Sequence, residues 1–363
     1  MISRPPQQVR PTLAVVGATG AVGSVMLRVL SHRADLWGEI RLVASPKSVG
    51  RTLTVCGRDV VVQELTEDVF DGVDVALFHV PEDVAAKWAP LAADRGAVVV
   101  DSSSAFRADP EVPLVAAAVN GAQVRNRPRG IVANPACATL VMIDALGALH
   151  SGWELTELVV STYHAASSVG QAGIERLHDE LEAVAGQRGL GQQASDIRAA
   201  LSDRLDEESP FVAPLALNVV PWVGWPVEDG WTSEEMCVRH EARRILGLPD
   251  LKVSATCVRV PVVTGHSMTV HATFARPIKV HDARQALVEA PSVVVLDEPD
   301  AREFPTPADI VGSDPTFVGR MRQSLDFPHT IELFICSDNL RKGAALNTVQ
   351  VAELVAKDLV AVR

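Results

Sequence analysis

The sequence contains few aromatic residues and no long apolar run. Aromatic residues make up 4% of the 363 positions, so valine, alanine and leucine must fill most of a core drawn from the 47% that are hydrophobic. No uninterrupted apolar stretch reaches the roughly 18 residues that a membrane-spanning helix needs, so we expect no membrane partner. The polar, proline-rich start of the chain predicts that no signal peptide is present.

Paired cysteines and an excess of positive charge are also missing. The five cysteines are odd in number and widely spaced, and none forms a CxxC or a paired His/Cys spacing, which predicts no metal site. Reduced thiols suit a cytoplasmic protein. The net charge of −12 argues against a nucleic-acid partner. The length suggests about two domains.

The amino-terminal part has the pattern of a dinucleotide-binding unit. An apolar strand at residues 13–16 is followed by Gly17, Gly20 and Gly23, and then by apolar residues on one helical face. Glycines in such a turn let backbone N–H groups approach a pyrophosphate at the helix N-terminus. The alternative is a tight turn that binds nothing.

The loop after the second predicted strand, residues 40–44, indicates which dinucleotide is bound. NAD-binding units usually carry an acidic residue there, whereas this chain has Ser45, Lys47 and Ser48. Two hydroxyl groups and an ammonium group suit a 2′-phosphate, which predicts NADP. The alternative is a solvated loop lysine.

Strands and helices alternate through this part, which predicts a Rossmann-like, doubly wound α/β domain with a mostly parallel sheet. Further strands are expected at 59–63, 73–78, 97–100 and 131–133, and a helix at 82–95. Ligands of such sheets lie beyond the carboxyl ends of the strands. His79, residues 102–104 and Cys137 all follow strand ends.

Cys137 is the strongest candidate nucleophile. Pro135 cannot continue a strand and restricts Asn134, so Cys137 is expected at the start of the next helix. Unsatisfied N–H groups and the helix dipole favour a thiolate at that position. The alternative is a small buried apolar residue.

The remainder predicts a second, α+β domain on a mixed or antiparallel sheet. Expected strands are 155–163, 215–220, 252–261, 267–274, 292–296, 317–321 and 331–336; expected helices are 170–185, 232–246 and 280–287. Residues 188–210 are polar and predict a surface excursion, with room for one short helix. A final helix at 341–360, apolar at Ala345, Val349, Ala352 and Val355, is expected to pack on the first domain. The predicted domains are 1–137 with 341–363, and 138–340.

Several separate stretches together resemble the aspartate-semialdehyde dehydrogenase family, over residues 13–359. They are VVGATGAVG at 15–23, SSAFR at 103–107, ANPAC at 133–137, KVSATCVRVPV at 252–262, GHS at 265–267 and DNLRKGAALN at 338–347. The resemblance implies NADPH-dependent conversion of L-aspartyl 4-phosphate to L-aspartate 4-semialdehyde and phosphate. It places the protein in the biosynthesis of the aspartate-family amino acids lysine, methionine and threonine.

The resemblance also implies roles for individual residues. Cys137 would form a thioester, His266 would act as general acid/base, and His164 would join this catalytic group. The expected substrate-binding residues are Arg107, for phosphate, Arg259, for the α-carboxylate, Glu234, for the ammonium group, and Asn134. The expected cofactor-binding residues are Gly17, Thr19, Gly20, Ala21, Val22, Gly23, Ser45, Lys47, Ser48, Asn339 and Gln350.

Several positions depart from the family pattern. Ala136 replaces an asparagine, His164 a glutamine, Ser102 an asparagine and His79 a serine, while residues 80–82, Val-Pro-Glu, replace an Ala-Gly-Gly turn. Cys237 stands where the family has a phosphate-site lysine. Loss of a charge-assisted contact typically costs about 1.5–3 kcal/mol. A protonated His164 would offset that loss.

These departures leave two alternatives open. One is a paralogue that acts on a different acyl phosphate or aldehyde; N-acetyl-glutamyl-phosphate reductase shares the chemistry but fits the later motifs less well. The other is a non-catalytic NADP-binding regulatory homologue. The resemblance further implies a small-molecule substrate and a homodimer or homotetramer that forms through the second domain.

Overall fold

The computed structural model describes residues 10–202 and 209–362. The expectations for the start of the chain and for residues 206–208 fall outside these ranges. The chain divides into two compact units, Met1–Pro135 with Ala344–Arg363, and Ala136–Gly343.

Thirteen strands occur in the described part of the chain. In chain order they are β1 (Leu13–Val16), β2 (Ile40–Ala44), β3 (Thr52–Val55), β4 (Arg58–Glu64), β5 (Val75–Phe78), β6 (Val98–Asp101), β7 (Ile131–Ala133), β8 (Leu155–His164), β9 (Lys252–Arg259), β10 (His266–Phe274), β11 (Val293–Val295), β12 (Thr316–Gln323) and β13 (Thr330–Ser337).

Ten α-helices accompany these strands in the same part of the chain. They are α1 (Ala21–Ser31), α2 (Glu82–Asp94), α3 (Ala117–Asn120), α4 (Cys137–Trp153), α5 (Gln171–Val184), α6 (Asp196–Ala200), α7 (Ser233–Leu246), α8 (Val280–Glu289), α9 (Pro307–Ile310) and α10 (Asn347–Val362).

The first unit is built on a seven-stranded sheet in the order β3-β4-β2-β1-β5-β6-β7. All neighbours are parallel except the β3–β4 pair. Val16 pairs with Phe78, Phe78 with Asp101, and Asp101 with Ala133, so these strands end level with one another. This confirms the predicted Rossmann-like sheet.

The carboxyl-terminal helix packs on this first sheet, as predicted. α10 contacts β5 and β6, and Ala345, Val349, Ala352 and Val355 are fully buried. The α-helix begins at Asn347 and not at residue 341, because Arg341–Leu346 forms a π-helix. Sequence periodicity does not distinguish such a widened turn from an α-helix, and widened turns often mark functional sites.

The second unit is built on a six-stranded sheet in the order β11-β12-β13-β10-β8-β9. β8 and β9 are parallel, as are β11 and β12, and the other neighbours are antiparallel. The predicted mixed sheet is therefore confirmed. α4 packs against this sheet and against α7 and α8, which buries eleven of its residues and fixes its first turn.

One predicted strand is wrong. Residues 215–220 form a turn and not a strand, because the N–H groups of Leu215 and Ala216 donate to the buried carboxylate of Glu180 at 2.7 and 2.9 Å. Leu217 has a φ of +57°, and only Val220 makes a bridge, to Arg259.

Two local features complete the comparison with the predicted elements. β3 was not predicted; it forms a hairpin with β4 through Cys56 and Gly57, which both have positive φ as tight hairpin turns require. At the start of α7, Thr232 and Glu235 exchange hydrogen bonds and so form a capping box.

Candidate active site

Cys137 is the first residue of α4, as predicted. The preceding residue, Ala136, is extended (φ −61°, ψ 152°) and has no side-chain cap. The Ala136 N–H donates to Glu241 Oε2 at 2.9 Å, which fixes the approach to the helix. Because no capping side chain takes the first N–H groups, they can stabilise a thiolate on Cys137.

Three neighbouring strands bring together side chains that are far apart in the sequence. β8 and β9 run parallel and end side by side, with His164 paired to Arg259. β10 runs antiparallel to β8 and begins at His266, one residue before the Ser267–Tyr163 pair. Two strand ends and one strand start therefore place His164, Arg259 and His266 at the same edge of the sheet.

The imidazole of His266 lies next to the Cys137 sulfur. Nε2 is 3.2 Å from Sγ, and Nδ1 accepts the N–H of Ala165 at 3.1 Å. A nitrogen that accepts a hydrogen bond carries no proton, so the proton of the neutral ring is on Nε2 and faces the sulfur. Burial holds the pKa of His266 well below its usual value, and the nearby His164 and Arg259 lower it further.

His164 is packed against His266, with ring centroids 4.6 Å apart. Its Nε2 is hydrogen-bonded to Thr162 Oγ1 at 2.9 Å. Burial lowers the pKa of His164 to about 3, and Arg259 adds to the effect. This burial favours the neutral ring near pH 7, so it does not support the expectation that a protonated His164 would offset the lysine replaced by Cys237.

Arg259 is the cation of this unit's site. It is only 5% exposed; it donates to Ser168 Oγ at 2.6 Å, and the guanidinium carbon lies 5.1 Å from the centre of the Phe211 ring. Burial lowers its pKa, and the charges of Cys137 and Glu234 oppose that shift. Glu234, in the first turn of α7, therefore lies within electrostatic range of Arg259.

Sequence reasoning missed several supporting residues. An added Cβ on Gly343, in the π-helix, would lie 2.9 Å from the Cys137 Cβ, so only glycine fits there. Lys342 donates to Asp144 of α4 in a buried ion pair at 2.5 Å. No local spacing indicates these contacts, because the residues are about 200 positions apart.

Asn339 has a different setting from the one expected. Its side chain is buried in the second unit, where the amide oxygen accepts the Gly265 N–H at 2.8 Å and the amide nitrogen donates to Ser167 Oγ at 3.0 Å. These bonds hold the residue directly before His266. A cofactor role for Asn339 stays a prediction.

The glycine turn of the first unit has the shape that a pyrophosphate needs. Gly17 has a φ of +93°, and a Cβ there would lie 2.1 Å from the carbonyl oxygen of His79. A Cβ on Gly23 would lie 2.2 Å from the Gly17 oxygen. Gly20 precedes α1, Ala21 and Val22 are its first residues, and its N-terminus has no side-chain cap. The backbone there is open to an anion.

Other predicted cofactor residues occupy this same unit. Thr19 Oγ1 and Ser48 Oγ are 3.2 Å apart, and Ser45 and Lys47 are exposed on the short 3₁₀ turn beside them. Gln350 lies on α10, and its buried Oε1 has no hydrogen-bond partner among the residues that the structure describes. A buried acceptor without a partner is costly, which points to a ligand donor at this position.

Arg107 and Asn134 are held by hydrogen bonds within the first unit. Arg107 donates to the carbonyl oxygens of Asn134 and Ser102 at 3.0 and 2.8 Å. The Asn134 amide oxygen accepts from Asn347 at 2.7 Å. Both residues are positioned firmly, and their predicted contacts with substrate stay predictions.

The residues that depart from the family pattern in this unit are also ordered by hydrogen bonds. Ser102 donates to the Phe78 carbonyl at 2.7 Å, so His79 Nδ1, 3.2 Å away, is the donor to the serine oxygen. Burial lowers the pKa of His79 to about 4. Glu82, at the start of α2, accepts from Ser104 at 2.5 Å, and both Pro81 and Glu82 are exposed.

None of the five cysteines is in a disulfide. Burial raises the pKa of the Cys257 thiol above its usual value. It also raises the pKa of the buried Cys336 thiol, to about 12. Within the described residues, no helix is long and apolar enough to cross a membrane.

Comparison with known proteins identifies the family. The family model "Semialdehyde dehydrogenase, NAD binding domain" matches residues 12–127, and "Semialdehyde dehydrogenase, dimerisation domain" matches residues 146–342. The aspartate-semialdehyde dehydrogenase of Corynebacterium glutamicum is 43% identical over 359 residues, covering 95% of this chain and 99% of that protein. That of Bacillus subtilis is 38% identical over 346 residues, covering 95% and 97%.

A solved structure agrees with this identification. Aspartate semialdehyde dehydrogenase II from Vibrio cholerae, complexed with ASA, superposes with a TM-score of 0.88 at 35% identity, covering 96% of this chain and 99% of that one. The first unit thus includes a binding domain for a nicotinamide dinucleotide, and the second a dimerisation domain. The chain therefore belongs to the aspartate-semialdehyde dehydrogenase family of oxidoreductases.

Proposed function

We propose that the protein is an NADP-dependent aspartate-semialdehyde dehydrogenase, which converts L-aspartyl 4-phosphate to L-aspartate 4-semialdehyde and phosphate. The observation that carries the proposal is the Cys137–His266 pair at the N-terminus of α4, with a sulfur–nitrogen distance of 3.2 Å. The first unit would serve as the cofactor domain and the second as the substrate and dimerisation domain.

Cys137 would act as the nucleophile in covalent catalysis. Its thiolate attacks the acyl carbon and expels phosphate, which leaves a thioester. NADPH, when bound, would supply the hydride for reduction of this thioester. The resulting thiohemiacetal then collapses to the aldehyde and regenerates the thiolate.

The Ala165 N–H decides which form of His266 takes part. A second proton would have to sit on Nδ1, where that N–H already points at 3.1 Å. The imidazolium form is therefore disfavoured, and Nε2–H acts as a donor to the thiolate and to the oxyanion of each tetrahedral intermediate. The helix N-terminus and the charge of Arg259 provide the rest of the stabilisation of the thiolate.

The substrate-binding roles that the family resemblance implies are part of this proposal. Arg259 is the proposed partner of the α-carboxylate, because its guanidinium is buried and aligned by Ser168 and Phe211. Glu234 would bind the ammonium group, Arg107 the phosphate, and Asn134 would orient the acyl group. His164, behind His266, would be a positioning residue for that ring.

The choice of NADP over NAD rests on Ser45, Lys47 and Ser48 beside Thr19. The glycine turn and the buried Gln350 oxygen fit a dinucleotide, since one makes room for its pyrophosphate and the other offers an acceptor. Thr19, Ala21 and Val22 would line the same site, with Gly17, Gly20 and Gly23.

One observation favours a second candidate, a reductase of a different acyl phosphate. Cys237 replaces the family's phosphate-site lysine, and His164 is neutral and does not supply the missing charge. Weaker phosphate binding, by roughly ten- to a hundredfold, is the expected consequence.

The test is to supply L-aspartate 4-semialdehyde, phosphate and NADP and to follow the NADPH absorbance band. We expect turnover by the wild type, a loss of about 10³-fold or more in Cys137→Ser, and little change in Cys56→Ser, a half-buried cysteine in the β3–β4 turn. No turnover with this substrate, but turnover with N-acetyl-glutamate 5-semialdehyde, would support the second candidate. Tight NADPH binding without turnover of either aldehyde would support a regulatory homologue.

A further inference from the structure

The structure places a group of three potential metal ligands in the second unit that no sequence spacing indicated. Cys137, His164 and His266 each offer one ligand atom, and the three atoms lie within 4.8 Å of one another. They come from the start of α4, the end of β8 and the start of β10. The expectation that the protein has no metal site rested on local spacing, and such spacing does not reveal ligands 27 and 102 positions apart.

We propose that Cys137, His164 and His266 form a binding site for Zn²⁺. One thiolate and two imidazoles are a donor set that zinc prefers, and three protein ligands with an open fourth position are the usual arrangement of an accessible zinc site. The proposal does not depend on the enzymatic activity proposed above, because it concerns equilibrium binding of the ion.

The distances suit zinc with small adjustments. Zinc bonds of about 2.0–2.1 Å to nitrogen and 2.3 Å to sulfur put tetrahedral ligand atoms about 3.3–3.6 Å apart. Cys137 Sγ and His266 Nε2 are already 3.2 Å apart. The His164 ring need move by no more than about 1.5 Å to bring its ligand atom from at most 4.8 Å to that range. It is already in contact with the His266 ring, with centroids 4.6 Å apart.

Hydrogen bonds around the site set its affinity. Thr162 Oγ1, 2.9 Å from His164 Nε2, can hold that ring through one nitrogen while the other faces the ion, as partners of metal-bound histidines commonly do. The Ala165 N–H acts against binding, because zinc on His266 Nε2 requires a proton on Nδ1, which faces that N–H. We therefore expect an affinity well below that of a structural zinc site.

His164 supplies the third ligand of this site. Where the aspartate-semialdehyde dehydrogenase pattern has a glutamine, only the cysteine and His266 remain, and two ligands hold a zinc ion weakly. Because bound zinc would occupy the sulfur lone pairs, the ion would also block nucleophilic attack by Cys137.

The test is a titration of chelator-treated protein with Co²⁺, a spectroscopic substitute for Zn²⁺. We expect one cobalt per chain, with a thiolate-to-cobalt charge-transfer band and tetrahedral visible bands, both removed by added Zn²⁺. His164→Gln should weaken cobalt binding more than about 10-fold, because replacing a residue that only supports a metal ligand already costs about that much. Cys137→Ser should remove the charge-transfer band. His240→Gln, on the exposed side of α7, and Cys56→Ser are matched controls that should bind as the wild type does.

A second measurement uses the wild-type protein, so it does not depend on whether the His164 and Cys137 variants fold. In the wild-type protein, Zn²⁺ should slow alkylation of Cys137 by iodoacetamide, identified by peptide mapping, while alkylation of Cys56 is unchanged. His164→Asn is a second substitution at this position, for use if His164→Gln does not fold. No cobalt band and no zinc protection of Cys137 in the wild type would overturn the proposal, as would wild-type affinity in a folded His164 variant.

Discussion

The glycine turn of the first unit and the Cys137 cluster of the second use the chain in opposite ways. The turn uses backbone groups that all come from seven consecutive residues. Its glycines are needed because a Cβ would collide with the His79 carbonyl or with the turn itself. The cluster places side chains from positions 137, 164, 259 and 266, which meet because β8 and β9 end and β10 begins at one edge of a sheet, beside the start of α4.

This difference determines how each region tolerates change. A backbone site needs open space and a particular φ, so it fails through steric collision. A side-chain site depends on hydrogen bonds and on the absence of water, so it changes through protonation and charge. The family departures His164 and Cys237 are changes of the second kind, and they leave the fold intact.

Among the residues around Cys137, the largest effect is expected from His266→Gln. If the cluster depends on the Nε2–H beside Cys137, kcat should fall by about 10²–10³-fold, the usual cost of removing one oxyanion-hole donor. His271→Gln is the matched control, because His271 also lies on β10 and forms a half-buried pair with Glu332 at 2.8 Å. Equal activity in the two variants would remove His266 from the proposed mechanism.

Gly17→Ala tests the backbone site against a control with the same conformation. Gly17 and Gly96 have φ values of +93° and +94°, but a Cβ meets the His79 oxygen at 2.1 Å only at Gly17 and meets nothing within 4 Å at Gly96. Both variants bear about 1–3 kcal/mol of backbone strain. Gly17→Ala should lose about 2 kcal/mol more in urea unfolding and should bind NADPH poorly, whereas Gly96→Ala should bind it normally.

The pH dependence of the free energy of unfolding tests whether buried neutral imidazoles contribute to stability in both units. Burial lowers the pKa of His79 from 6.5 to about 4, so the unfolded chain binds a proton at a higher pH than the folded chain. The stabilisation is complete above pH 6.5 and is lost as the pH falls towards 4, by up to about 3 kcal/mol. His79→Ser should flatten the pH dependence of unfolding in that window.

His164→Gln should flatten the same curve, because burial lowers the pKa of His164 to about 3. His281→Ser, at an exposed position on α8, is the control and should reproduce the wild-type curve. A wild-type free energy of unfolding that does not change between pH 6.5 and 4 would contradict the assignment of both rings as buried and neutral.

The smallest effect is expected from Lys47→Glu. Loss of a charge-assisted contact with the 2′-phosphate should weaken NADPH binding by roughly ten- to a hundredfold, with a much smaller effect on NADH. Lys87→Glu, at an exposed position on α2, controls for net charge. A variant that loses both cofactors equally would show that Lys47 does not select between them.

Most of the fold could be predicted, because hydrophobic periodicity and turn chemistry are local. The limits of β2, β7 and α7 agree with the sequence pattern, and so does the start of α4 at Cys137. Residues 215–220 were misassigned because the N–H groups that a strand would pair are taken by Glu180, 35 positions away. The π-helix was missed because it depends on the Gly343–Cys137 contact and the Lys342–Asp144 pair.

The sequence by itself determined the family, the two-domain α/β architecture and the identity of the candidate nucleophile, since each rests on contiguous motifs. Only the tertiary structure decided the chemical state of the cluster around that nucleophile. Burial makes His164 neutral, the Ala165 N–H puts the His266 proton on Nε2, and strand order makes the two rings neighbours. Protonation and metal affinity depend on solvent exclusion and on partners distant in sequence, which local spacing does not encode.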